Sequence, residues 1–356
     1  MANFYEIDFL PVHTSKSGDA IPLRYQVGEH LIVHLVDGGY TSTAETVSEH
    51  IQEYYGTKHI HRVIVTHPDK DHAEGLASIM EEFTVGELWM LRPWEYAAHL
   101  LPYFARYNSV ENLAKRLRDE YPYIYELEKI ALRRNTVIRA PFQGENIGQF
   151  TVLAPTLARY LDLIIRSEKT PQQVVDSAGI LAGLIRAAAP IIKFVKSGWG
   201  SEKFSDEDTS VENEMSVIQY ATLNGHKILL TGDAGREALT EAADYAPSAG
   251  LQLPGITKFQ VPHHGGRSNV STELLDRWLG PRLQQPLQQG QTKFTAMISS
   301  AKEDSDHPRK AVLRALHHRG AFIATTEDAA FRVSQNAPAR NWGTMTNVPY
   351  PDEQEE

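Results

Sequence analysis

Short apolar runs of strand length recur along this sequence, and four of them end at histidine, aspartate and glycine residues. The runs and the segments that follow them are Arg62–Thr66 before His67, Lys227–Thr231 before Gly232-Asp233, Phe259–Val261 before Pro262-His263-His264-Gly265-Gly266, and Met297–Ser300 before Asp306-His307-Pro308. Taken singly, an aspartate after a glycine indicates a turn, and a histidine pair indicates a surface or hydrogen-bonded position. Because all four segments follow predicted strands, together they indicate one shared site.

Strand and helix patterns alternate along most of the chain, which is typical of an α/β fold. The predicted strands are Phe4–Leu10, Ala20–Val27, Leu31–Val36, Arg62–Thr66, Val85–Leu91, Thr136–Arg139, Phe150–Ala154, Ser216–Leu223, Lys227–Thr231, Gly255–Val261, Thr295–Ser299 and Ala321–Ala324. The predicted helices run from Ser42 or Thr43 to about Tyr55, and over Ala73–Phe83, Glu95–Tyr107, Val110–Arg134, Leu157 to about Val195, Thr272–Leu279 and Arg309–Arg319. We therefore expect one domain over residues 1–335, with helical insertions at about 93–136 and 157–211. An acidic tail over 336–356 is expected to lie along the surface or to be disordered.

The composition restricts the chemistry that such a site can use. The 356 residues include no cysteine, which excludes disulfides, thiol nucleophiles, cysteine-ligated zinc and iron–sulfur clusters. With 15 histidines present, any transition-metal site must use imidazole and carboxylate groups. The formal net charge of −10 argues against a generally basic nucleic-acid coat, although a local basic groove stays possible.

The chain shows no signal for secretion or membrane insertion. Its N-terminus lacks a basic segment followed by an apolar one, so a cytoplasmic location is the default expectation. The longest weakly polar stretch, Val174 to Val195, carries Asp176, Arg186 and Lys193 and is too polar for a membrane span. We therefore predict no contact with a membrane.

The segment His67-Pro68-Asp69-Lys70-Asp71-His72 is the sharpest signal, because it places four possible metal ligands within six residues at a strand end. A loop there can turn His67 and Asp69 towards one ion, and Asp71 and His72 towards a second. Two divalent ions about 3.5–4 Å apart are a common arrangement for hydrolysing phosphate esters and amides. The alternative is a solvated polar turn, but this density of histidine and aspartate favours a metal site.

At these residues the chain resembles the metallo-β-lactamase superfamily, and most closely the branch related to the hydrolase domain of the competence protein ComEC. The segments that carry the resemblance run in order: Gly18-Asp19-Ala20, Asp37-Gly38-Gly39, the His67 to His72 segment with Glu74-Gly75-Leu76 after it, Asn213 and Ser216, Leu229-Leu230-Thr231-Gly232-Asp233, His263-His264-Gly265, and His307-Pro308. The resemblance implies a four-layer αββα sandwich of two mixed sheets, with a dinuclear metal site at one edge.

Two departures from the superfamily's common pattern affect the expected ligands. Its usual loop reads His-x-His-x-Asp-His, whereas Asp69 stands at the second position here. Oxygen in place of imidazole makes Mn²⁺ or Mg²⁺ plausible beside Zn²⁺. The usual separate histidine before the bridging aspartate has no counterpart, since His99 and His226 alone lie between the loop and Asp233. As the ComEC-like pattern implies, His263 or His264 would take that place.

The expected assignment follows from this resemblance. One ion would be held by His67, Asp69 and either His263 or His264, and the other by Asp71, His72 and His307, with Asp233 bridging. Of the adjacent histidines, the one that is not a ligand could hydrogen-bond the substrate or an outer carboxylate. Asp37 is expected to orient a ligand, or alternatively to serve only as a turn residue before two glycines.

Such a centre would activate water for hydrolysis, with Asp71 as the proton acceptor that the resemblance implies and Asp233 between the ions. Three aspartates carry −3 against +4 from two ions, so the site suits an anionic substrate. Arg267, Ser268 and Lys302 lie near the motifs and could contact phosphate oxygens, or could be ordinary surface residues.

Three functions stay open at this point. The first is a metal-dependent phosphodiesterase, with nuclease action on DNA as the first choice. The second is hydrolysis of a small ester, such as a phosphocholine-type diester, a cyclic nucleotide or a lactone, in a pocket closed by the insertions. The third is a binding or scaffolding protein that keeps the fold.

The insertions also contain candidate surfaces. Basic residues at Arg133, Arg134 and Arg139 lie among aromatic ones, and such a pattern can stack a single nucleic-acid strand. The alternative, and the favoured one, is helical core packing with arginines reaching solvent. The apolar stretch Val174–Ile192 could pack against a second copy of the chain, which predicts a homodimer.

Overall fold

The computed structural model describes residues 2–12, 14–170 and 193–356. Over this part of the chain the strands are β1 (Ala2–Phe9), β2 (Ala20–Val27), β3 (His30–Gly38), β4 (His59–Ile64), β5 (Thr84–Trp89), β6 (Val137–Arg139), β7 (Asn146–Ile147), β8 (Phe150–Ala154), β9 (Phe194–Lys196), β10 (Ile218–Leu223), β11 (His226–Leu230), β12 (Lys258–Gln260), β13 (Phe294–Ile298), β14 (Ala321–Thr325), β15 (Phe331–Gln335) and β16 (Glu353–Glu355).

The helices lie between these strands. They are α1 (Ala44–His50), α2 (Lys70–Ala73), α3 (Leu76–Glu82), α4 (Ala97–Leu100), α5 (Val110–Glu120), α6 (Pro122–Arg133), α7 (Leu157–Arg166), α8 (Val211–Glu214), α9 (Arg236–Tyr245), α10 (Thr272–Leu279) and α11 (Lys310–His318). A π-helical turn, Ile51–Tyr55, continues α1 to its C-terminal cap at Gly56. Among the described helices, none has both the length and the apolar character needed to span a bilayer.

Two mixed seven-stranded sheets form in the described residues. The first has the order β15-β1-β2-β3-β4-β5-β6, and the second has the order β14-β13-β12-β11-β10-β8-β7. One apolar cluster joins Ile7 and Phe9 of the first sheet to Val152 and Leu230 of the second. The sheets therefore pack face to face, as apolar inner faces require.

Helices cover both outer faces of this pair. Val47 of α1, Ile79 of α3 and Leu127 of α6 belong to the cluster of the first sheet. A second cluster contains Phe259 of β12 with Leu239 of α9, Trp278 of α10 and Leu316 of α11. The four-layer αββα sandwich predicted from the sequence is confirmed.

Parallel pairing brings the predicted polar segments to one edge. The strands β3, β4 and β5 are parallel, as are β11, β12, β13 and β14. The carboxyl ends of parallel strands lie at the same edge of a sheet, where α/β proteins bind their ligands. His67 follows β4, Asp233 follows β11, and His263 follows β12.

Two glycines allow this edge to pack closely. A Cβ on Gly75 would lie 2.1 Å from the carbonyl oxygen of Gly38, so the turn between α2 and α3 touches the end of β3 directly. A Cβ on Gly265 would lie 2.7 Å from Pro308 Cβ. The glycine that follows His263 and His264 therefore brings that segment against His307-Pro308.

The outer face of β1 carries buried acids that the C-terminal segment covers. Glu6 and Asp8 are fully buried on the side of the strand opposite Ile7. Arg340 places its two Nη atoms 3.1 and 3.0 Å from the two carboxylate oxygens of Asp8, and Nη2 lies 2.9 Å from Glu6 Oε2. Arg332 also binds Glu6, at 2.8 Å. A buried carboxylate needs such partners.

Most of the tail over 336–353 lies exposed or half-buried along the surface, but two residues near its end are buried. β16 pairs with β9, and Gln354 and Glu355 are each 1% exposed. Glu355 accepts hydrogen bonds from the backbone nitrogens of Lys310 and Ala311, both at 2.9 Å, at the first turn of α11. An acid there satisfies amide groups that a helix leaves unpaired, so the sequence at the tail end is structural.

The first insertion region is helical, but it is more broken than predicted. The helix expected over Val110–Arg134 divides into α5 and α6 at Tyr121, because Pro122 begins a new helix. The helix expected over Glu95–Tyr107 is a series of short turns around α4. In the second region, α7 ends at Arg166, and the apolar stretch Val174–Ile192 lies outside the described residues.

Candidate metal centre

His67, Asp69, Asp71 and His72 lie on the turn that leads from β4 into α2. The backbone nitrogen of His72 donates to the carbonyl of Asp69 at 3.2 Å, which starts the helix within this segment. Both histidine rings are buried, and their centroids are 4.2 Å apart. The turn therefore presents two imidazoles side by side, with carboxylates on the same loop.

Asp37, at the end of β3, fixes the His72 ring. Its Oδ2 accepts from His72 Nδ1 at 2.7 Å and from the Thr66 hydroxyl at 2.6 Å, and its Oδ1 accepts from the Thr66 backbone nitrogen at 2.9 Å. The backbone of Asp37 is left-handed, with φ +57°. Non-glycine residues in this conformation cluster at functional sites. Asp37 therefore fixes the orientation of the ring of a candidate ligand.

Asp233 lies at the centre of the cluster. Its Oδ1 is 3.3 Å from His72 Nε2, and its Oδ2 is 3.8 Å from His67 Nε2 and 3.7 Å from His264 Nε2. The backbone nitrogen of Asp233 donates to the buried Ser216 hydroxyl at 3.2 Å, which holds the residue at the end of β11. Its two oxygens thus face histidines from both sheets.

His263 and His264 form a strained turn after β12. Both have left-handed backbones, with φ +48° and +54°. Asn269 accepts from His263 Nδ1 at 2.9 Å, and the carbonyl of Ser299 accepts from His264 Nδ1 at 2.9 Å. These bonds turn the Nε2 atoms of both rings towards Asp233.

A shared pattern unites the buried histidines of the site. Each of His67, His72 and His264 pairs its Nδ1 with a protein group, whereas its buried Nε2 has no hydrogen-bond partner. Asp233 Oδ1 is also buried without a partner. Buried polar atoms are almost always satisfied, so these convergent unpaired atoms need an explanation. Metal-bound histidines show this same division, with one nitrogen on the metal and the other on the protein.

The residues fit a divalent metal centre. The ligand atoms of Asp71, His72, Asp233 and His264 all lie within 4.8 Å of one another. His67 Nε2 lies 3.9 Å from Asp69 Oδ2 and 3.8 Å from Asp233 Oδ2, and it marks a neighbouring position. Imidazole and carboxylate groups suit Zn²⁺ and Mn²⁺.

The grouping differs from the expected assignment for His264 and His307. His264 Nε2 is 3.5 Å from Asp71 Oδ2, so this histidine lies with Asp71 and His72, at the place expected for His307. The reason is the bond from His264 Nδ1 to Ser299 at the end of β13, which points the ring in that direction. His263 Nε2, 3.8 Å from Asp233 Oδ2, stays beside the cluster and is more exposed.

His307 belongs to a separate pair at the rim. Asp304 Oδ2 accepts from His307 Nδ1 at 3.2 Å and also from the Ser17 backbone nitrogen and hydroxyl, at 3.0 and 2.8 Å. The His307 ring centroid is 5.0 Å from that of His263. Beside His307 a groove of about 560 Å³ runs between α11 and the C-terminal segment. His307 is thus held between the cluster and an open groove.

Charged groups within the cluster shift the pKa values of its histidines strongly. Burial lowers the pKa of His264, but Asp233, Asp71 and Asp19 outweigh this effect and raise the pKa to about 9. Burial likewise disfavours a charged His72, yet Asp233 and Asp71 hold its pKa well above the ordinary value. His67 is dominated by burial, and its pKa is lowered.

The same charges lower the pKa values of two aspartates of the cluster. Burial raises the pKa of Asp71, but His72 and His264 outweigh it and lower that pKa to about 2. The pKa of Asp233 is also held well below its usual value, because His72, His264 and His263 outweigh its burial. Both aspartates are therefore ionised, as metal ligands must be.

Asp19, Asn269 and Asp304 are site residues that the sequence prediction did not assign. Asp19 Oδ2 accepts from Gln260 at 2.9 Å and lies 3.8 Å from His72 Nδ1, while Oδ1 is buried and unpaired. Asp19 was visible as part of a motif segment before β2, and Asp304 lies three residues before His307. Nothing local marks Asn269, because its role depends on contacts made in the folded chain.

The three proposed substrate contacts have partners elsewhere. Lys302 pairs with Asp328 at 2.7 Å on the surface, and Ser268 donates to Asn269 at 3.1 Å. Arg267 Nη1 lies 3.5 Å from the backbone carbonyl of Glu356. Their role as substrate contacts stays a prediction.

Comparison with known proteins finds similarity among solved structures. No protein-family model and no curated protein matches the chain. Among solved structures, it is similar to a crystal structure of the hydrolase AbOPH, described as in the beta lactamase superfamily. The identity is 13%, the match covers 60% of this chain and 56% of that chain, and the TM-score is 0.28.

Proposed function

We propose that this protein is a metal-dependent hydrolase of the metallo-β-lactamase fold that cleaves a phosphodiester, with DNA as the first-choice substrate. The observation that carries the proposal is the convergence of three unpaired, buried Nε2 atoms on the oxygens of Asp233 and Asp71. The ComEC-related branch within that superfamily is part of the same proposal and is supported by the sequence motifs alone.

The chain's residues divide into two groups around Asp233. Asp71, His72 and His264 would hold one divalent ion, and His67 and Asp69 would hold the other. When bound, two such ions supply an acidified water and neutralise developing negative charge. His263 and His307 stand at the rim, where a substrate group would meet them.

Proton transfer falls to the carboxylates. Asp71 Oδ2 faces His72 and His264, at 3.7 and 3.5 Å, and this carboxylate would accept a proton from the attacking water. Its low pKa keeps it ionised in the resting enzyme. Asp69, Asp71 and Asp233 give −3 against +4 from two ions, which favours an anionic substrate.

A second candidate is hydrolysis of a small anionic ester. The insertion's basic residues do not form a free cationic surface, because Arg133 pairs with Glu81 and Arg139 pairs with Glu87 at 2.7 Å. Trp89 and Trp94 are 4% and 3% exposed, so they cannot stack on bases. Within the described residues, these contacts favour a compact substrate over a long nucleic-acid strand bound along the insertion.

The direct test is a metal-dependent cleavage assay. Purified protein loaded with Mn²⁺, Zn²⁺ or Mg²⁺ is offered bis(p-nitrophenyl) phosphate, single- and double-stranded DNA, and a phosphocholine diester. We expect turnover that a chelator abolishes and that Asp233→Asn lowers by at least about 1,000-fold. The matched control is Asp244→Asn, an exposed acid whose partner Arg277 lies outside the site.

The outcomes separate the candidates. Cleavage of DNA supports the nuclease, whereas cleavage of small diesters alone supports the second candidate. Metal analysis that finds less than one ion per chain, together with no cleavage, would contradict both and leave a binding or scaffolding role.

A further inference from the structure

A lysine lies against the outer oxygen of a candidate ligand. Lys169 Nζ is 2.6 Å from Asp69 Oδ1, although the two residues are 100 positions apart in the sequence. The other oxygen of Asp69, Oδ2, faces His67 Nε2 at 3.9 Å. One oxygen of Asp69 therefore faces the candidate metal position, and the other oxygen contacts the Lys169 ammonium group.

A buried network holds the turn that carries Lys169. Ser167, at the end of α7, bonds the buried carboxylate of Glu212 and accepts from the backbone nitrogen of Lys169 at 3.1 Å. Thr170 donates to the carbonyls of Ile164 and Ser167, both at 2.8 Å. The backbone beside Lys169 is thus fixed, while its side chain stays 44% exposed.

Within the described part of the chain, Asp69 is the acid that pairs with the Lys169 side chain. An ion held by His67 and Asp69 would be neutralised in part by the Asp69 carboxylate. That carboxylate would then neutralise less of the positive charge on the Lys169 ammonium group, which lies at the mouth of the site. Other lysines nearby face different acids: Lys16 lies 3.0 Å from Asp306, and Lys70 lies 3.5 Å from Glu74. Lysine binds phosphate oxygens as a compact point charge.

We propose that Lys169 binds an anionic oxygen of the substrate, beside the ion that His67 and Asp69 would hold. This inference rests on the proposed function and adds a substrate-binding residue to it. It assigns the substrate class as one with an oxyanion adjacent to the attacked centre, such as a phosphate ester.

The test measures binding of inorganic phosphate to the Mn²⁺-loaded protein by calorimetry. We expect Lys169→Gln to weaken phosphate binding at least tenfold. The phosphate affinity of Lys169→Arg should stay within threefold of the wild-type affinity. The matched control, Lys58→Gln, removes an exposed lysine whose Nζ lies 3.6 Å from Glu82, an acid outside the site, and should change affinity less than twofold. In a separate Mn²⁺ titration without phosphate, the Mn²⁺ affinity of Lys169→Gln should lie within threefold of the wild-type affinity.

Each other outcome overturns the inference in a distinguishable way. Equal phosphate affinity of Lys169→Gln and wild type contradicts the anion contact but leaves the metal hydrolase intact. Loss of Mn²⁺ binding in Lys169→Gln shows instead that the lysine only holds Asp69 in place. A wild-type protein that binds Mn²⁺ but no phosphate contradicts the assigned substrate class. A wild-type protein that binds no Mn²⁺ contradicts the proposed function itself.

Discussion

Asp37 accepts three hydrogen bonds from His72 and Thr66 while its own backbone is left-handed. A carboxylate so placed fixes the ring and raises the basicity of the nitrogen that faces the cluster. The role resembles that of the acids that orient metal-bound histidines in other proteins.

Replacement of Asp37 by asparagine should therefore weaken metal binding by about 10- to 100-fold. The NH₂ group of asparagine is a donor, and it would face a donor of Thr66 or His72 where the carboxylate oxygen now accepts. Isothermal titration with Mn²⁺ measures the change. Asp244→Asn serves as the surface control, and equal affinities in both variants would show that Asp37 is only a turn residue.

Proton release should accompany metal binding. The pKa of about 9 at His264, together with the raised pKa of His72, means that the ion-free protein holds protons on these rings at pH 7.5. A metal needs their nitrogen lone pairs, so binding displaces the protons and apparent affinity rises with pH up to about 9. Calorimetry in two buffers of different ionisation enthalpy should detect about one to two protons per chain. A value of zero at pH 7.5 would contradict the charge arrangement described for the cluster.

Prediction from sequence works best where the chemistry is local. His67, Asp69, Asp71 and His72 share one turn, so their spacing alone indicates a common site. Asn269 and Lys169 could not be found this way, because each acts on a residue brought near it by folding. The choice between His263 and His264 depends on two hydrogen bonds to other segments, which spacing does not encode.

At the scale of elements, the contact between Gly75 and Gly38 joins the α2–α3 turn to the end of β3. Gly75 has an ordinary right-handed backbone, with φ −66°, so alanine is excluded by steric overlap alone. Its Cβ would lie 2.1 Å from the Gly38 carbonyl oxygen and 2.6 Å from the Tyr40 carbonyl oxygen. Backbone on both sides leaves little room to relax.

We expect Gly75→Ala to lower the free energy of unfolding by at least about 2 kcal/mol, as measured by urea denaturation. Gly343→Ala is the control, because a Cβ there meets nothing within 4 Å and its backbone is not left-handed. That variant should change stability by less than about 0.5 kcal/mol. Similar stabilities for both variants would mean that the turn can move away from β3.

Local patterns predicted the long elements better than the short ones. β1, β2, β10 and β11 follow the apolar runs of the sequence closely. β9 and β16 have three residues each and exist because they pair across more than 150 positions, which no local pattern reveals. Pro122 was available as a helix-start signal, and it does divide the predicted Val110–Arg134 helix.

At the scale of the whole molecule, charged contacts tie the C-terminal segment to the first sheet. Arg340 reaches both Glu6 and Asp8, which are fully buried, and no other arginine of the described residues does so. Removing one partner from a buried ionic group leaves charge without compensation and is strongly destabilising.

Arg340→Ala should therefore cost about 3–5 kcal/mol of unfolding free energy, measured by urea denaturation of the ion-free protein. The conservative variant Arg340→Lys should recover part of this loss. Arg116→Ala is the surface control, since that arginine pairs with Glu120 on an exposed helix face and is expected to contribute less than about 1 kcal/mol. A neutral Arg340→Ala would show that Arg24 and Arg332 suffice for Glu6, and that His50 and Tyr55 suffice for Asp8.

The order of strands in the first sheet has a consequence for synthesis of the chain. β1 pairs on one side with β2, which follows it closely in the sequence. On its other side β1 pairs with β15 near the end of the sequence, where Gln335 lies opposite Tyr5. At about 5–20 residues per second, a ribosome needs roughly 15–65 s to supply that partner. During this interval β1 is an open sheet edge whose buried acids still lack Arg332 and Arg340, so the nascent chain depends on protection from aggregation until its last residues emerge.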